Sequence, residues 1–384
     1  MPFPLLKGDK LRPFYFIKHL CLRGHKISLL SFIEEEKERT YKETLLEYCE
    51  DVEMVLLPKW RSYLNMLSGI FSNTPFQICY YFSIEMREKI LHMTRNGKYD
   101  VVHFVLSRMI PYAGLANGIP RVIDHIDALS LNMERRFDRE RGIRRLLFFR
   151  EWKSIRKYED DCSGLFNYSI VTSEGDRQYL CNKRTEVIPN GIDLEQFSPQ
   201  KKEKDIDLIF TGNMGYFPNE DAVMYFSEKI FPLILRHRPS IQFFIVGVNP
   251  TKRIKKLSDG RNIFVTGHVD KIQDYLHRAR IAVCPMKSGS GIQNKILEAM
   301  ACGVPVIATS FAAGGIAVEH GKDIILSEEP GEFAEDVLRL LEDRELRESI
   351  AANARQLVEQ NHSWEGSVSK LEKVYKLAQQ KIEV

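Results

Sequence analysis

Short runs of β-branched and aromatic residues alternate with amphipathic stretches along most of the chain. Strands buried on both faces of a parallel sheet give continuous apolar runs of this kind. The amphipathic stretches between them are typical of helices that pack on the two faces of such a sheet. The runs predict strands at residues 26–32, 52–57, 101–105, 121–126, 169–172, 206–211, 241–246, 263–266, 281–284 and 304–309. Helical periodicity is clearest at 14–23, 219–236 and 363–380. The pattern predicts an α/β protein.

A polar, turn-forming segment from 173 to 205 interrupts this pattern. It contains PNGID and the lysine-rich KKEKD but no apolar period, as is typical of a link between domains. A chain of 384 residues also exceeds what one core usually organises. We predict two domains, at residues 1–190 and 191–362, with a cleft between them. A helix within residues 363–384 is expected to cross back to the N-terminal domain.

The composition, 44% hydrophobic and 28% charged, is that of an ordinary soluble globular protein. No apolar run approaches the roughly 18 residues needed to cross a bilayer, and the start lacks a secretory signal, so we expect a cytoplasmic protein. The seven cysteines form no C-x-x-C pair, which argues against a disulfide framework or a zinc site. A formal net charge of +3 argues against a nucleic-acid partner.

Positive charge is concentrated at residues 135–157, which hold ten Lys or Arg residues against three acidic ones. Leu146, Leu147, Phe148 and Trp152 lie among these arginines. The mixture suits an anionic membrane surface, so peripheral attachment to the inner face of the plasma membrane is one expectation. The alternative is a solvated helix whose aromatic face packs on the core.

The stretch IAVCPMKSGSGIQNKILEAMACGVPVIAT reads as a strand, a glycine-containing loop, a helix, a tight turn and a second strand. Gly289 and Gly291 let the backbone approach a ligand, and the start of the helix offers free N–H groups and a positive dipole end. Lys295 adds a cation, and Glu298 follows on the same helical face. We predict a site for a diphosphate; the alternative is a capped helix with a solvated Lys–Glu pair.

This stretch resembles glycosyltransferase family 4, retaining enzymes of GT-B fold in which LEAMACGVPVIAT recurs in nearly the same wording. The resemblance covers residues 206–384 and reaches back to VIPNGIDLEQFSP at 187–199. It implies two Rossmann-like domains facing a central cleft, the C-terminal one for a nucleotide-diphosphate sugar and the N-terminal one for a glycan or lipid-linked acceptor. It also implies a metal-independent hexosyltransferase of envelope or exopolysaccharide synthesis, without a cofactor besides the donor substrate.

The resemblance assigns donor binding to Gly212, Asn213, Gly291, Ile292, Lys295 and Glu298. The amides of Gly291 and Ile292 and the Lys295 ammonium would bind the diphosphate, and Glu298 the ribose. Many members have a glutamate eight positions before this one, where Ser290 stands here. Contacts to the transferred sugar are therefore not assigned.

PFPLLKGDKLR is similar to the glycine loop that follows the first strand in this family, which implies that Gly8 and Asp9 line the cleft. Because that loop here begins at Met1, we expect either that the start codon was assigned too late or that the N-terminal sheet lacks its first strand. His103 and Arg108 lie at the end of a predicted strand, a usual place for ligand contacts in α/β sheets. With Asn190 of PNGID, these residues are the candidates for acceptor or cleft contacts.

VIDHIDALSLNMERR, at 122–136, resembles the strand end where relatives place a histidine and an acid beside the reacting sugar. Asp127 matches the acid, and together with Lys295 it is our candidate for catalysis. Ile126 stands at the histidine's position, while His125 would point to the opposite side of the strand. Asp124 is expected either to face the cleft with Asp127 or to form a turn pair with it.

The family's usual mechanism is front-face attack, in which the leaving phosphate accepts the acceptor's proton and no protein nucleophile is needed. Two alternatives stay open. Ser290 and Ile126 would fit a non-catalytic GT-B partner subunit, and a GT-B sugar-nucleotide isomerase or phosphorylase would bind similar substrates. A dehydrogenase is not favoured, because no G-x-G-x-x-G follows a strand.

Overall fold

The computed structural model describes residues 1–4, 8–69, 72, 74–180, 184–289 and 292–380. The chain forms two compact units. Unit 1 comprises Met1–Asn190 and Trp364–Val384, and unit 2 comprises Gly191–Ser363.

The strands pair in parallel throughout the described sheets. They are β1 (Ser28–Ile33), β2 (Asp51–Leu56), β3 (Val102–Val105), β4 (Arg121–Ile126), β5 (Tyr168–Val171), β6 (Thr185–Val187), β7 (Ile206–Thr211), β8 (Phe243–Val246), β9 (Ile263–Gly267), β10 (Ala279–Cys284), β11 (Val306–Ala308) and β12 (Ile325–Leu326). Every strand predicted from the hydrophobic pattern is present with slightly shifted ends. The very short β6 and β12 were not predicted, because two or three residues give no readable period.

The α-helices are α1 (Gly8–Leu22), α2 (Lys42–Leu46), α3 (Lys59–Ser68), α4 (Phe76–Tyr80), α5 (Ile84–Asn96), α6 (Leu129–Arg139), α7 (Gly142–Cys162), α8 (Glu174–Leu180), α9 (Phe217–Tyr225), α10 (Phe231–His237), α11 (Lys252–Lys255), α12 (Ile272–Leu276), α13 (Asn294–Ala301), α14 (Ser310–Ala313), α15 (Pro330–Glu342), α16 (Arg344–Asn361) and α17 (Trp364–Gln379). Shorter 3-10 segments lie at Glu36–Tyr41, Ser107–Leu115 and Ser163–Leu165. Within the described part of the chain, no helix has both the length and the apolar character of a membrane span.

The predictions for one helix and for the link between the domains need correction. The helix expected at 219–236 is divided into α9 and α10 by a wider π turn at Phe226–Ile230, next to Pro232, which has no N–H to continue the regular bonding. The link expected at 173–205 begins later, because α8 and β6 occupy its first part. Asp176 and Leu180 of α8 are both buried.

The sheet of unit 2 has the strand order β12-β11-β10-β7-β8-β9. The first strand of the unit, β7, lies in the middle of the sheet. The chain then adds β8 and β9 on one side of β7, and afterwards β10, β11 and β12 on the other side. This is a doubly wound Rossmann-like sheet, in which ligands bind beyond the carboxyl ends of the two strands where the direction reverses. The reversal lies between β7 and β10.

The strands of unit 1 form two sheets, β1-β2 and β3-β4-β5-β6, instead of one. Strands of both sheets nevertheless share their hydrophobic layers: Ile33 and Val122 belong to one cluster, and Val55 and Ile123 belong to another. Helices α1 and α17 cover the first of these layers, and the Tyr15 ring stacks on Trp364 with centroids 4.8 Å apart. Among the described strands, β1 and β3 have no ladder between them.

Candidate donor and catalytic residues

Two loops meet at the reversal point of the unit 2 sheet. The loop after β7 contains Gly212 and Asn213 and leads into α9, and the loop after β10 leads into α13. Asn213 Oδ1 accepts a hydrogen bond from the Gly215 N–H (3.0 Å) and lies 3.3 Å from Asn249 Nδ2, which fixes the first loop. The donor residues predicted from the sequence within the described residues thus lie on neighbouring loops and one helix.

Glycines allow the ends of β7 and β8 to approach each other closely. Gly212 (φ +153°) and Gly247 (φ +145°) adopt conformations that other residues rarely adopt. A Cβ atom on Gly247 would lie 1.8 Å from the Gly212 carbonyl oxygen. A Cβ atom on Gly212 would lie 2.9 Å from Asn219 Nδ2 and 3.4 Å from Lys295 Cε. The glycines therefore leave room for the two side chains that extend into this region.

The Lys295 ammonium is held by residues from both loops. Its Nζ donates to Asn219 Oδ1 (3.0 Å) and Gln293 Oε1 (3.1 Å), lies 3.3 Å from Met286 Sδ and is 5.4 Å from the centre of the Phe210 ring. Burial lowers the pKa of Lys295 below its ordinary value. All these contacts are to neutral groups, so they orient the ammonium and leave its charge for an anionic ligand.

Glu298 lies one turn beyond Lys295 on α13. Burial raises the pKa of Glu298 to about 7, against the opposing effect of the Lys295 charge. Both side chains are half-buried, so they are not the solvated surface pair of the alternative interpretation. A carboxyl group that titrates near neutral pH is suited to exchange hydrogen bonds with hydroxyl groups.

The first turn of α13 supplies backbone donors beside this lysine. The helix begins at Asn294, and Gln293 at its N-cap makes no side-chain capping bond, so the first N–H groups are left for other acceptors. Ile292 has its side chain in the core of unit 2, which restricts a ligand contact to its backbone. Gly291 and Ser290 lie outside the described residues.

Asn219 and Gly247 were missed as site residues by sequence reasoning. The helix expected from residue 219 begins earlier, at Phe217 of α9, and the Asn219 amide connects Asn213 O (2.9 Å, from Nδ2) to the Lys295 ammonium. No local pattern indicates a contact across 76 residues. For Gly247, a glycine directly after the central strand β8 was a readable signal of close backbone approach.

In unit 1, Asp127 follows the carboxyl end of β4. It is half-buried, and Thr172 Oγ1 donates to its Oδ1 over 3.3 Å. Burial, and secondly the negative charge of Asp176, raise the pKa of Asp127 to about 6. An acid in this range changes its protonation state under mild conditions, as expected of a group that contacts a reacting hydroxyl.

The residue before it, Ile126, has a positive φ of +65°, which is strained for a β-branched side chain. Hydrogen bonds hold this turn: Asp124 Oδ1 accepts from the Ile126 N–H (2.9 Å), and the Ile126 carbonyl accepts from the Thr172 N–H (2.9 Å). Asp124 is itself buried against Arg12, with 2.6 Å between Oδ2 and Nε. Asp124 is therefore an internal ion-pair partner and does not face a cleft, while its hydrogen bond from the Ile126 N–H gives it the turn role of the alternative interpretation.

Two predicted acceptor residues are internal to unit 1. His103 lies 2.7 Å, through Nδ1, from the Tyr375 hydroxyl of α17, and burial lowers its pKa to about 4. Asn190 is buried, and its Oδ1 accepts from Arg12 Nη1 over 3.1 Å. These contacts link α1, β3 and α17 and give both residues a structural role.

The other predicted residues of unit 1 differ in their surroundings. Arg108 is half-buried and donates to Gln77 Oε1 (3.1 Å) from the 3-10 segment after β3. Gly8 begins α1 and Asp9 follows it; the Asp9 side chain lies outside the described part. His125 is buried on the opposite side of β4 from Asp124, 2.7 Å from Ser107 Oγ, and burial lowers its pKa.

The basic segment 135–157 forms the end of α6 and most of α7. The aromatic rings of Phe137, Phe149 and Trp152 pack on one another, but Ile143 is 81% exposed and Leu146 67% exposed. The aromatic side chains of the segment thus pack together while part of its aliphatic surface is exposed, and both the membrane expectation and its alternative stay predictions.

Comparison with known proteins agrees with this arrangement. Residues 205–343 match the family described as glycosyl transferases group 1. An uncharacterised protein of the cps region of Klebsiella pneumoniae is 22% identical, over 94% of both chains. CapM of Staphylococcus aureus, a capsular polysaccharide biosynthesis glycosyltransferase, is 26% identical over 48% of this chain and 52% of its own length.

A solved structure shares the fold over nearly the whole length. HepE of Anabaena, crystallised with UDP and glucose, superimposes with a TM-score of 0.67 at 16% identity, covering 96% of each chain. The doubly wound sheet of unit 2, with Gly212, Gly247 and Lys295 at its reversal point, lies within the matched family region. Residues 205–343 are therefore a group 1 glycosyltransferase domain, and the chain as a whole has the GT-B fold of glycosyltransferases.

Proposed function

We propose that this glycosyltransferase moves a hexose from a nucleotide-diphosphate sugar to a glycan or lipid-linked acceptor, with retention of anomeric configuration and without a metal ion. Unit 2 binds the donor and unit 1 binds the acceptor. The acceptor belongs to an envelope polysaccharide, a proposal supported by the likeness to CapM.

The half-buried Lys295 is the observation that carries the donor assignment. Its ammonium is oriented by neutral groups at the reversal point of the sheet, beside the free N–H groups at the start of α13. As the bond to the sugar breaks, negative charge accumulates on the leaving diphosphate. A fixed cation and helix N–H groups stabilise that charge more than they stabilise the ground state, and this difference lowers the barrier.

The remaining assignments concern two half-buried carboxyl groups, one in each unit. Glu298 binds the ribose hydroxyls of the nucleotide, and Asp127 orients a hydroxyl of the reacting sugar. The raised pKa values of both groups, about 7 and about 6, favour hydrogen bonding to neutral hydroxyls over fixed ion pairing. The acceptor's proton passes to the leaving phosphate. UDP is the first nucleotide to test, because HepE was crystallised with it.

We further propose that the chain works in the cytoplasm, attached peripherally to the membrane through residues 135–157. Leu146 and Leu147 are exposed and directly follow Arg144 and Arg145, which favours contact with anionic lipid. This places the enzyme where lipid-linked acceptors are found.

The test begins with a melting screen of the full chain against uridine and guanosine diphosphate sugars. A donor at ~100 times its Kd stabilises the folded state by about 2.7 kcal/mol, which raises Tm. The selected donor is then incubated with polyprenyl-linked glycans in the presence of a chelator, and nucleotide release and product configuration are measured. Isomerised donor, or release that is independent of the acceptor, would refute the transferase proposal. Loss of activity with the chelator would refute metal independence alone.

A further inference from the structure

Helix α3 exposes its apolar face, whereas the apolar face of a surface helix usually packs on the core. Trp60, Tyr63, Leu64 and Leu67 form an i, i+3, i+4, i+7 stripe, the pattern of a face that normally packs on a core. These four side chains are instead between 54% and 65% exposed, while Ser62 on the opposite face is 1% exposed. An apolar stripe of this size on the surface indicates a binding surface.

The composition of this stripe matches a lipid interface. Helix α3 carries the basic residues Lys59 and Arg61 and contains no acidic residue. Lys59 is paired at 3.3 Å with the exposed Glu34, whereas Arg61 extends from the exposed side of the helix. Tryptophan and tyrosine are the residues enriched at the boundary between head groups and acyl chains, and leucine inserts below them.

Helix α3 is joined to the basic segment through α4. The Tyr63 ring packs edge-on against Tyr80 of α4, with centroids 5.7 Å apart. Glu151 of α7 accepts hydrogen bonds from the first N–H groups of α4, and Arg150 Nη2 donates to the Gly69 carbonyl at the end of α3 (2.7 Å). The stripe is therefore fixed to the same part of unit 1 as α7.

The charge around the apolar stripe of α3 argues against a second copy of the chain as the partner that covers it. In a symmetric dimer the same patch occurs on both sides of the contact. The basic patch with Arg61, Arg144 and Arg145 would then face an identical basic patch, and neither α3 nor the first turn of α7 supplies an acidic residue to offset the repulsion. An anionic bilayer offers the opposite charge together with an apolar layer.

We propose that α3 is a membrane-inserting element: Trp60, Tyr63, Leu64 and Leu67 enter the interface of a bilayer containing anionic lipid, and Arg61 contacts the head groups. The inference rests on the membrane attachment proposed above for residues 135–157 and adds a second, apolar contact to it. It does not depend on the donor or the acceptor of the transferase reaction.

The experiment uses the full chain and vesicles of phosphatidylcholine with or without phosphatidylglycerol. We expect binding that requires phosphatidylglycerol and falls at least ~10-fold in the double variant Leu64→Glu/Leu67→Glu, since two inserted leucines are replaced by charges. Lipids brominated in the acyl chain should quench the wild-type tryptophan emission, and Trp60→Phe should remove most of this quenching. Leu22→Glu, which alters an exposed leucine of α1, is the matched control and should bind like the wild type.

The outcomes separate the proposals. Binding that survives Leu64→Glu/Leu67→Glu but is lost in Arg144→Glu/Arg145→Glu refutes insertion of α3 and leaves attachment through residues 135–157. Quenching that Trp60→Phe leaves undiminished also refutes it, and absence of vesicle binding by the wild type refutes both membrane proposals. A change in oligomeric state of the α3 double variant without lipid would show that the stripe contacts a second copy. Transferase activity is measured independently, so it can fail or succeed without affecting these results.

Discussion

At the scale of single residues, the environment of Lys295 is built from separate parts of unit 2. Asn219 comes from α9, Gln293 from the loop before α13, and Phe210 from β7. The desolvation of a cation by burial is unfavourable unless charged or polar groups compensate for it. The neutral acceptors provide part of this compensation, and we infer that the donor diphosphate provides the rest.

We expect Lys295→Ala to reduce turnover at least ~30-fold, because a charged hydrogen bond to the leaving group contributes roughly 2 kcal/mol. Initial rates of nucleotide release with the selected donor measure this effect. Lys322→Ala removes an exposed lysine of the same unit and should leave the rate unchanged. Turnover of Lys295→Ala within twofold of the wild type would contradict the assignment.

The Tm of Lys295→Ala without ligand provides a second readout. Because the wild-type ammonium is desolvated, its removal should not lower the Tm appreciably. A large loss of stability would mean that Lys295 has a structural role.

At the scale of elements, the glycines at the ends of β7 and β8 determine how closely the two loops approach. We expect Gly247→Ala to destabilise the folded protein by at least ~2 kcal/mol, because the new Cβ atom would lie 1.8 Å from the Gly212 carbonyl oxygen and the φ of +145° is strained. Donor affinity should fall with it, since Lys295 lies beside Gly212. Urea unfolding and a donor titration measure the two effects.

Gly331→Ala is the control for this substitution. Gly331 lies in the first turn of α15, and a Cβ atom added there would have no neighbouring atom within 4 Å, so alanine should be neutral or slightly stabilising. Equal stability of the two alanine variants would show that the approach of β7 and β8 tolerates a side chain.

The sequence patterns predict the strands and helices of this chain well, but they predict the contacts between distant residues less well. The buried strands were predicted because each gives an apolar run several residues long. The diphosphate site was inferred because the glycine loop, Lys295 and Glu298 lie close together in the sequence, and it stays a prediction. The partner of Asp124 was not predictable, since Arg12 is 112 residues away. The stripe of α3 has the period of a core face, and no periodicity distinguishes a face on a core from a face on a membrane.

The Arg12–Asp124 pair connects α1 to β4, and Arg12 Nη1 also donates to the Ile188 carbonyl (2.8 Å). We expect Asp124→Asn to cost about 3–5 kcal/mol of the free energy of unfolding, because it leaves a buried guanidinium uncompensated. It should also loosen the Ile126 turn before Asp127, so kcat should fall even at temperatures where the variant is folded. Glu348→Gln, in the exposed Arg344–Glu348 pair, should change neither quantity measurably.

At the scale of the whole molecule, buried titratable groups make stability depend on pH in opposing directions. Burial lowers the pKa of His103 to about 4, so the unfolded chain binds more protons there between pH 4 and 6.5, and stability rises with pH through this window. Glu298 and Asp127 have pKa values raised from 4.5 to about 7 and from 3.8 to about 6. Their protons are held more tightly by the folded chain, so their contribution falls as pH rises.

The double variant Glu298→Gln/Asp127→Asn isolates the carboxyl contribution, because the histidines are the same in both proteins. The difference in unfolding free energy, variant minus wild type, should increase between pH 4 and 7 by on the order of 2–4 kcal/mol, since only the wild type must ionise two buried carboxyl groups. Urea unfolding at closely spaced pH values measures this difference. The single variants Glu298→Gln and Asp127→Asn show how much of it comes from unit 2 and how much from unit 1. A difference that is constant with pH would mean that both carboxyl groups titrate at ordinary values, and the hydroxyl-binding roles proposed for them would lose their support.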